Sequence, residues 1–165
     1  MSKPSSESEV TNWLQQHGWS DGRDIGPEAD ELIEYRRSNS AAQGFPLIPV
    51  QPAVDFVHRY GMLRLPHPRT PDCVLVMDPT FGYNGDAATI TELGGYLGTS
   101  LFPIGYEASE YGILLADDRG RIFQLHHTGG YYMGENAMDA FARFIGNVRE
   151  PEAMDYFVER GEESH

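Results

Sequence analysis

The side chains best suited to chemistry in this sequence are Cys73, the tandem His126-His127 and the tandem Asp117-Asp118. A metal centre needs ligands that converge, yet neighbours in a strand-like run point to opposite faces, so one ion does not receive both histidines. Cys73 lies in the apolar run from Cys73 to Met77. That setting lacks the exposed, electropositive surroundings that make a thiol nucleophilic, and Cys73 reads as a small core residue. Asp117-Asp118-Arg119-Gly120 has the composition of a turn, which accounts for the aspartates without calcium, and no further carboxylates recur at calcium-loop spacing. The glycines at 94, 95, 98 and 105 lack both the preceding strand and the Lys-Ser/Thr ending of a phosphate loop. The pattern predicts no catalytic residue, no metal and no cofactor.

The charge distribution is more informative. The chain carries 25 acidic against 12 basic residues, a net charge of −13, which argues against direct binding to a nucleic-acid backbone, where clustered Lys and Arg are required. Between Arg69 and Arg119 there is no base, while Asp72, Asp78, Asp86, Glu92, Glu107, Glu110, Asp117 and Asp118 are acidic. This predicts an acidic face complementary to a basic protein. Asp86, Glu107, Glu110, Asp117 and Asp118 are its candidate rim charges, and Tyr83, Tyr106 and Tyr111 its candidate anchors.

These residues must be positioned by a fold, and 165 residues suffice for a single domain that buries roughly two-thirds of its unfolded surface. The one cysteine forms no internal disulfide, and neither a cleavable signal nor a long apolar run is present. A cytoplasmic protein without membrane contact is expected. Ser6 and Glu9 spell a capping box before a first helix at 7–17, with Val10, Trp13 and Leu14 on one face. Pro27 opens a second helix carrying Ala29, Leu32 and Ile33 inward, with Arg36-Arg37 near its end suiting the helix dipole. Residues 38–47 read as a connecting loop. A third helix from near Pro52 aligns Ala53, Phe56, Val57 and Tyr60, with Gly61 as a left-handed terminator.

Short strands are expected near 63–65 and 73–78, then a helix from Asp86 to Tyr96 with Ile90, Leu93 and Leu97 inward. The chain is organised around 101–134, where a hairpin turning at Asp117 to Gly120 and a second turn at Thr128 to Gly130 make a three-stranded meander. Asn136 caps a closing helix that buries Ala137, Ala140, Phe141, Phe144 and Ile145. The acidic segment 150–165 is expected to be partly helical around Met154, Tyr156 and Phe157 and to fray into disorder. The reading is α+β: one domain over 1–165 with its core at about 7–148, a mixed, curved sheet with a meander core, flanked by N-terminal helices and a closing C-terminal helix.

Taken together, these motifs resemble the SUKH superfamily of bacterial immunity proteins, specifically its third group, over about residues 10–146. The resemblance rests on His17-Gly18-Trp19 and Gly22-Arg23-Asp24, on Phe56-Val57 with Tyr60-Gly61-Met62-Leu63, and on Leu101-Phe102-Pro103-Ile104-Gly105. It continues through Asp117-Asp118-Arg119-Gly120-Arg121-Ile122, Met133-Gly134 and the helix from Asn136 to Phe141. Tyr60 and Met62 stand where the family has a phenylalanine and a second glycine. The resemblance implies a non-enzymatic protein that binds a cognate secreted toxin, often a nuclease or nucleic-acid deaminase. A regulatory or scaffold module holding an endogenous partner is the alternative, and the sequence leaves both open.

Overall fold

A computed structural model describes residues 2–158. Six strands lie side by side in chain order: β1 (Arg64–Pro66), β2 (Val74–Val76), β3 (Leu101–Glu107), β4 (Gly112–Asp117), β5 (Ile122–His126) and β6 (Gly129–Gly134). Helices α1 (Glu7–Gln16), α2 (Pro27–Ala42) and α3 (Gln51–Tyr60) precede them, α4 (Asp86–Leu97) separates β2 from β3, and α5 (Ala137–Ile145) follows β6. The α+β class, the N-terminal helices and the closing helix agree with expectation. A 3-10 turn at Ala153–Tyr156 occupies the place of the expected C-terminal helical segment, and the frayed end expected from residue 159 onward lies outside the described residues.

The sheet departs from the sequence reading in two ways. Every pairing is antiparallel, so it is not mixed. The meander also extends well beyond three strands, because Leu101 to Glu107 is itself a strand despite Pro103 within it. A register shift between Pro103 and Gly105 leaves Ile104 as a bulge, which accommodates a proline inside a paired strand. Gly105 lets the chains close up there: a Cβ would lie 2.5 Å from the Val76 carbonyl oxygen.

Cross-strand register sorts the side chains into two layers. Ile113, Leu115, Phe123 and Leu125 share one face, and Leu114, Ala116, Ile122 and Gln124 the other. On the first, α4 brings Leu93 against Gly130, which pairs with Leu125. On the second, α5 packs Ala140 against Gly134, and Phe141 meets Trp13 of α1 at 5.7 Å and Tyr60 of α3 at 5.1 Å. Trp13 Nε1 also donates to the Pro66 carbonyl at 2.8 Å, tying α1 to β1. Phe102 is fully buried, and Trp19 stacks on Tyr60 beneath Arg59, so both are framework.

Local signals end most helices as read. Ser6 and Glu9 form the capping box, and the Asn136 side chain accepts from the Asp139 amide at 2.8 Å. Gly61 is a correction: its φ is −52°, and Met62 takes the left-handed conformation at 67° instead. Glycine is required at 61 for space, since a Cβ would strike the Val57 carbonyl oxygen and sit 2.8 Å from Ile25. Cys73 is half-buried at the sheet margin, its Sγ 3.9 Å from Ser109 Oγ, and is not a core residue. The rings of His126 and His127 lie 4.8 Å apart, because His127 falls in the turn after β5 where strand alternation no longer applies.

The second helix is the largest revision. It runs on to Ala42 through the expected loop, and Arg36 does not face solvent at a helix end. Its guanidinium is 1% exposed and meets the fully buried Asp86 carboxylate at 2.6 Å and 3.3 Å. Asn39 accepts from Arg36, and Gln43 donates to Asp86 and accepts from the Ala87 amide, so α2 and the start of α4 share one buried polar network. Removing one partner strands the other's charge. Arg36→Met is expected to destabilise the fold by about 3–5 kcal/mol, and adding Asp86→Leu to recover much of the loss, measured by urea unfolding.

A second polar tie joins the entry of α2 to α3. The His58 ring meets Asp24 through Nδ1 at 2.6 Å and Asp30 through Nε2 at 2.9 Å. The hydrogen bond to Asp24, then that to Asp30, raises the His58 pKa, and the Asp24 pKa is lowered by its bond to His58. The stabilisation from His58 is therefore full below the unfolded histidine pKa and is lost as pH rises through the folded value. That from Asp24 is lost as pH falls through its own lowered value. The Tm difference between the parent and His58→Gln is expected to peak in mildly acidic buffer and to shrink above neutrality.

Candidate protein-binding surface

The hairpin linking β3 to β4 carries several of the expected contact residues, and its geometry is dictated by Glu107. That carboxylate turns inward, accepting from the Ser109 amide at 2.9 Å, the Ser109 hydroxyl at 2.6 Å and the Glu110 amide at 3.2 Å. The loop then closes through the Tyr111 amide, which donates to the Glu107 carbonyl at 2.8 Å. Tyr111 adopts φ 61°, a region that bulky residues rarely occupy. The result presents its ring outward, 62% exposed.

Tyr111 joins two other rings. Phe81, from the loop before α4, lies 4.0 Å from Tyr106 at an interplanar angle of 22° and 5.9 Å from Tyr111 at 21°. Tyr106 and Tyr111 are 6.5 Å apart and within 18° of parallel. The loop bearing Phe81 is held by Asp78, which accepts from the Thr80 amide and hydroxyl, and by the Tyr83 amide donating to Asp86 at 3.1 Å. Tyr83, two residues beyond Phe81, is exposed. Asp72 is exposed beside the hairpin, since the Ala108 amide donates to the Val74 carbonyl.

The expected acidic face is corrected here. Asp86 is consumed by Arg36, and Asp117 is fully buried, accepting from the amides of Arg119 and Arg121 and pairing with Arg121 Nε at 2.7 Å. Glu107 is spent on its own turn. Neither Asp86 nor Asp117 presents charge at a rim, because both satisfy buried donors. Of the five acids, Glu110 and Asp118 are exposed, but they stand at opposite ends of β4, roughly 20 Å apart along the strand. Asp118 accepts from the Thr99 hydroxyl at 2.7 Å, away from the tyrosines. The structure thus brings together Tyr106 and Tyr111, with Tyr83 in the loop that carries Phe81, turns the Glu110 carboxylate of the same hairpin to His126 on the other face, and leaves Asp118 apart.

Sequence reasoning missed Phe81 and Glu150. The Phe-Gly-Tyr segment at 81–83 offers Tyr83 as an anchor, but nothing in it marks Phe81 as the ring that joins Tyr106 and Tyr111. Glu150 lies in a groove with Glu110, Gln124, His126 and Tyr131 on the opposite face of the sheet from the rings. Burial pushes its pKa up to about 7, against the lowering effect of a 2.9 Å hydrogen bond from Gln124, with Glu107 adding repulsion. Glu110 pairs with His126 Nε2 at 3.0 Å across the same groove. Among the described residues no group of three or more His, Cys, Asp or Glu is placed to hold a metal ion, and no helix is long and apolar enough to cross a membrane.

The division between inward and outward acids is measurable. Glu107→Ala is expected to cost about 1.5–3 kcal/mol through its lost charged hydrogen bonds, whereas Asp118→Ala should stay within about 0.5 kcal/mol of the parent. Equal urea midpoints for the two variants would contradict the assigned role of Glu107.

No curated protein and no solved structure matches the chain. The family described as SUKH-3 immunity protein matches residues 6–147. That span runs from the cap of α1 to just past α5 and takes in the whole sheet, and on this evidence the chain belongs to the SUKH-3 immunity protein family.

Proposed function

We propose that this protein neutralises a cognate bacterial toxin, one with a basic contact surface, by direct protein contact and without catalysis. Family membership across residues 6–147 is the observation that carries the reading. The surface that suits it best is the β3–β4 hairpin with the loop before α4. It offers Tyr83, Tyr106 and Tyr111 as anchors and Glu110 as a rim charge, in a stretch without Lys or Arg between positions 69 and 119. Exposed aromatic rings held by a rigid sheet lose little entropy on binding, and anchors of this kind dominate interface energies. The net charge of −13 disfavours a nucleic-acid partner and favours a basic protein. The protein acts in the cytoplasm of the producing cell, where it meets toxin that has entered.

The test is co-production with the toxin domain encoded beside the gene. Growth arrest by the toxin alone should be relieved as this protein approaches equimolar amounts, which is the titration expected of a binder rather than an enzyme. Glu110→Lys should slow association with the toxin and reduce its salt dependence while leaving dissociation nearly unchanged. Continued arrest in cells that accumulate both folded proteins would overturn the proposal.

A further inference from the structure

We infer that the Phe81, Tyr106 and Tyr111 rings form a docking platform for an arginine side chain of a basic protein segment. The inference rests on the toxin-binding reading for its biological partner, but its chemistry is tested without the toxin. Three near-parallel rings meet there, Phe81 from the loop before α4, Tyr106 from the end of β3 and Tyr111 from the turn after it, with Tyr111 exposed and the other two half-buried. Four rings elsewhere lie under the chain's own cations: Arg59 over Trp19 and Tyr60, Arg121 over Phe123 and Arg143 over Tyr132, at 5.3–5.8 Å. The cluster at Tyr106 has no such cover, and among the described residues the Tyr106 and Tyr111 hydroxyls make no hydrogen bond.

The chemistry of the partner follows from these features. Parallel ring faces attract a planar cation more than a compact one, so guanidinium is preferred to ammonium. The carboxylates bordering the rings have the matching sign: exposed Asp72 and half-buried Asp78 flank the two loops, while Glu110 turns to His126 on the reverse face and the cation on the ring face, Arg64, stands two strands from Tyr106. A nucleic-acid base also stacks on tyrosine, but its phosphates would meet these carboxylates. The left-handed backbone at Tyr111 fits the same purpose, since strain of that kind persists where the surrounding structure holds a side chain in a set place.

The test uses the full chain, with tyrosine rings followed by NMR during titration with an eight-residue arginine-glycine repeat peptide and its lysine-glycine counterpart. Saturable shifts at Tyr106 and Tyr111 are expected, with the lysine peptide weaker by about threefold or more. Tyr111→Gly removes the ring at a backbone angle glycine adopts freely, so the fold is kept while the arginine preference should vanish. Tyr35→Ala, removing an exposed tyrosine that stands among acids on α2 but outside the ring cluster, should leave it intact. Equal affinity for the two peptides, no shift with either, or stronger ring shifts with a single-stranded oligonucleotide would overturn the inference. A toxin neutralised equally well by the Tyr111→Gly protein would overturn it too while leaving the toxin-binding reading intact. Failure to neutralise any toxin would remove that reading without touching the peptide result.

Discussion

The buried pair of Arg36 and Asp86 is the constraint on which the arrangement of the functional side depends. Two charges withdrawn from water are stable only while each satisfies the other, so α2 and the start of α4 hold a single relative position. Asn39 and Gln43 complete that network from α2, and the Asp86 carboxylate also receives the Tyr83 amide. Gly82 passes so close that a Cβ would strike both Asp86 and Arg36. The loop at 81–83 is therefore fastened from beneath, and Phe81 reaches Tyr106 because of it. Helix α2 has few apolar residues facing inward, which leaves polar contacts to do much of its docking.

The same logic explains where the negative charge of the central segment goes. Turns between antiparallel strands expose backbone amides at their tips, and carboxylates are the strongest side-chain acceptors for them. Asp117 serves the β4–β5 turn and Glu107 the β3–β4 turn, each accepting bonds from backbone amides inside the turn it stabilises. Acid-rich sequence around a meander is thus partly architecture. What remains for a partner is smaller than the composition suggests, and its character is set as much by aromatic rings as by charge.

Rigid scaffolding and an exposed tip belong together in this reading. The β3–β4 hairpin projects from strands buried on both faces, with α4 on one side and α3 and α5 on the other. A contact surface built on such strands is held before the partner arrives, which reduces the ordering required on association. The Glu110, His126 and Glu150 groove on the reverse face belongs to the same end of the sheet, so charge there acts on the field around the hairpin.

Short-range chemistry was legible in the sequence by itself. The capping box at Ser6, the Asn136 cap, the turn at Asp117 to Gly120, the apolar faces of α3 and α4 and the α+β order all follow from interactions within a few residues. Tertiary structure decided everything that required knowing what lies across a gap. The Arg36-Arg37 pair near an expected helix end gives no sign that an aspartate fifty residues on will bury the first of them. Pro103 in isolation opposes a strand from Leu101 to Glu107, and only β2 and β4 on either side, with a bulge at Ile104, make it one. Gly61 reads from the sequence as a left-handed terminator, but Ile25 and Val57 make its missing side chain the point. Charge could be counted along the chain, yet whether a carboxylate faces solvent or a turn amide depends on three-dimensional neighbours, and that distinction separated Glu110 from Glu107 and Asp118 from Asp117.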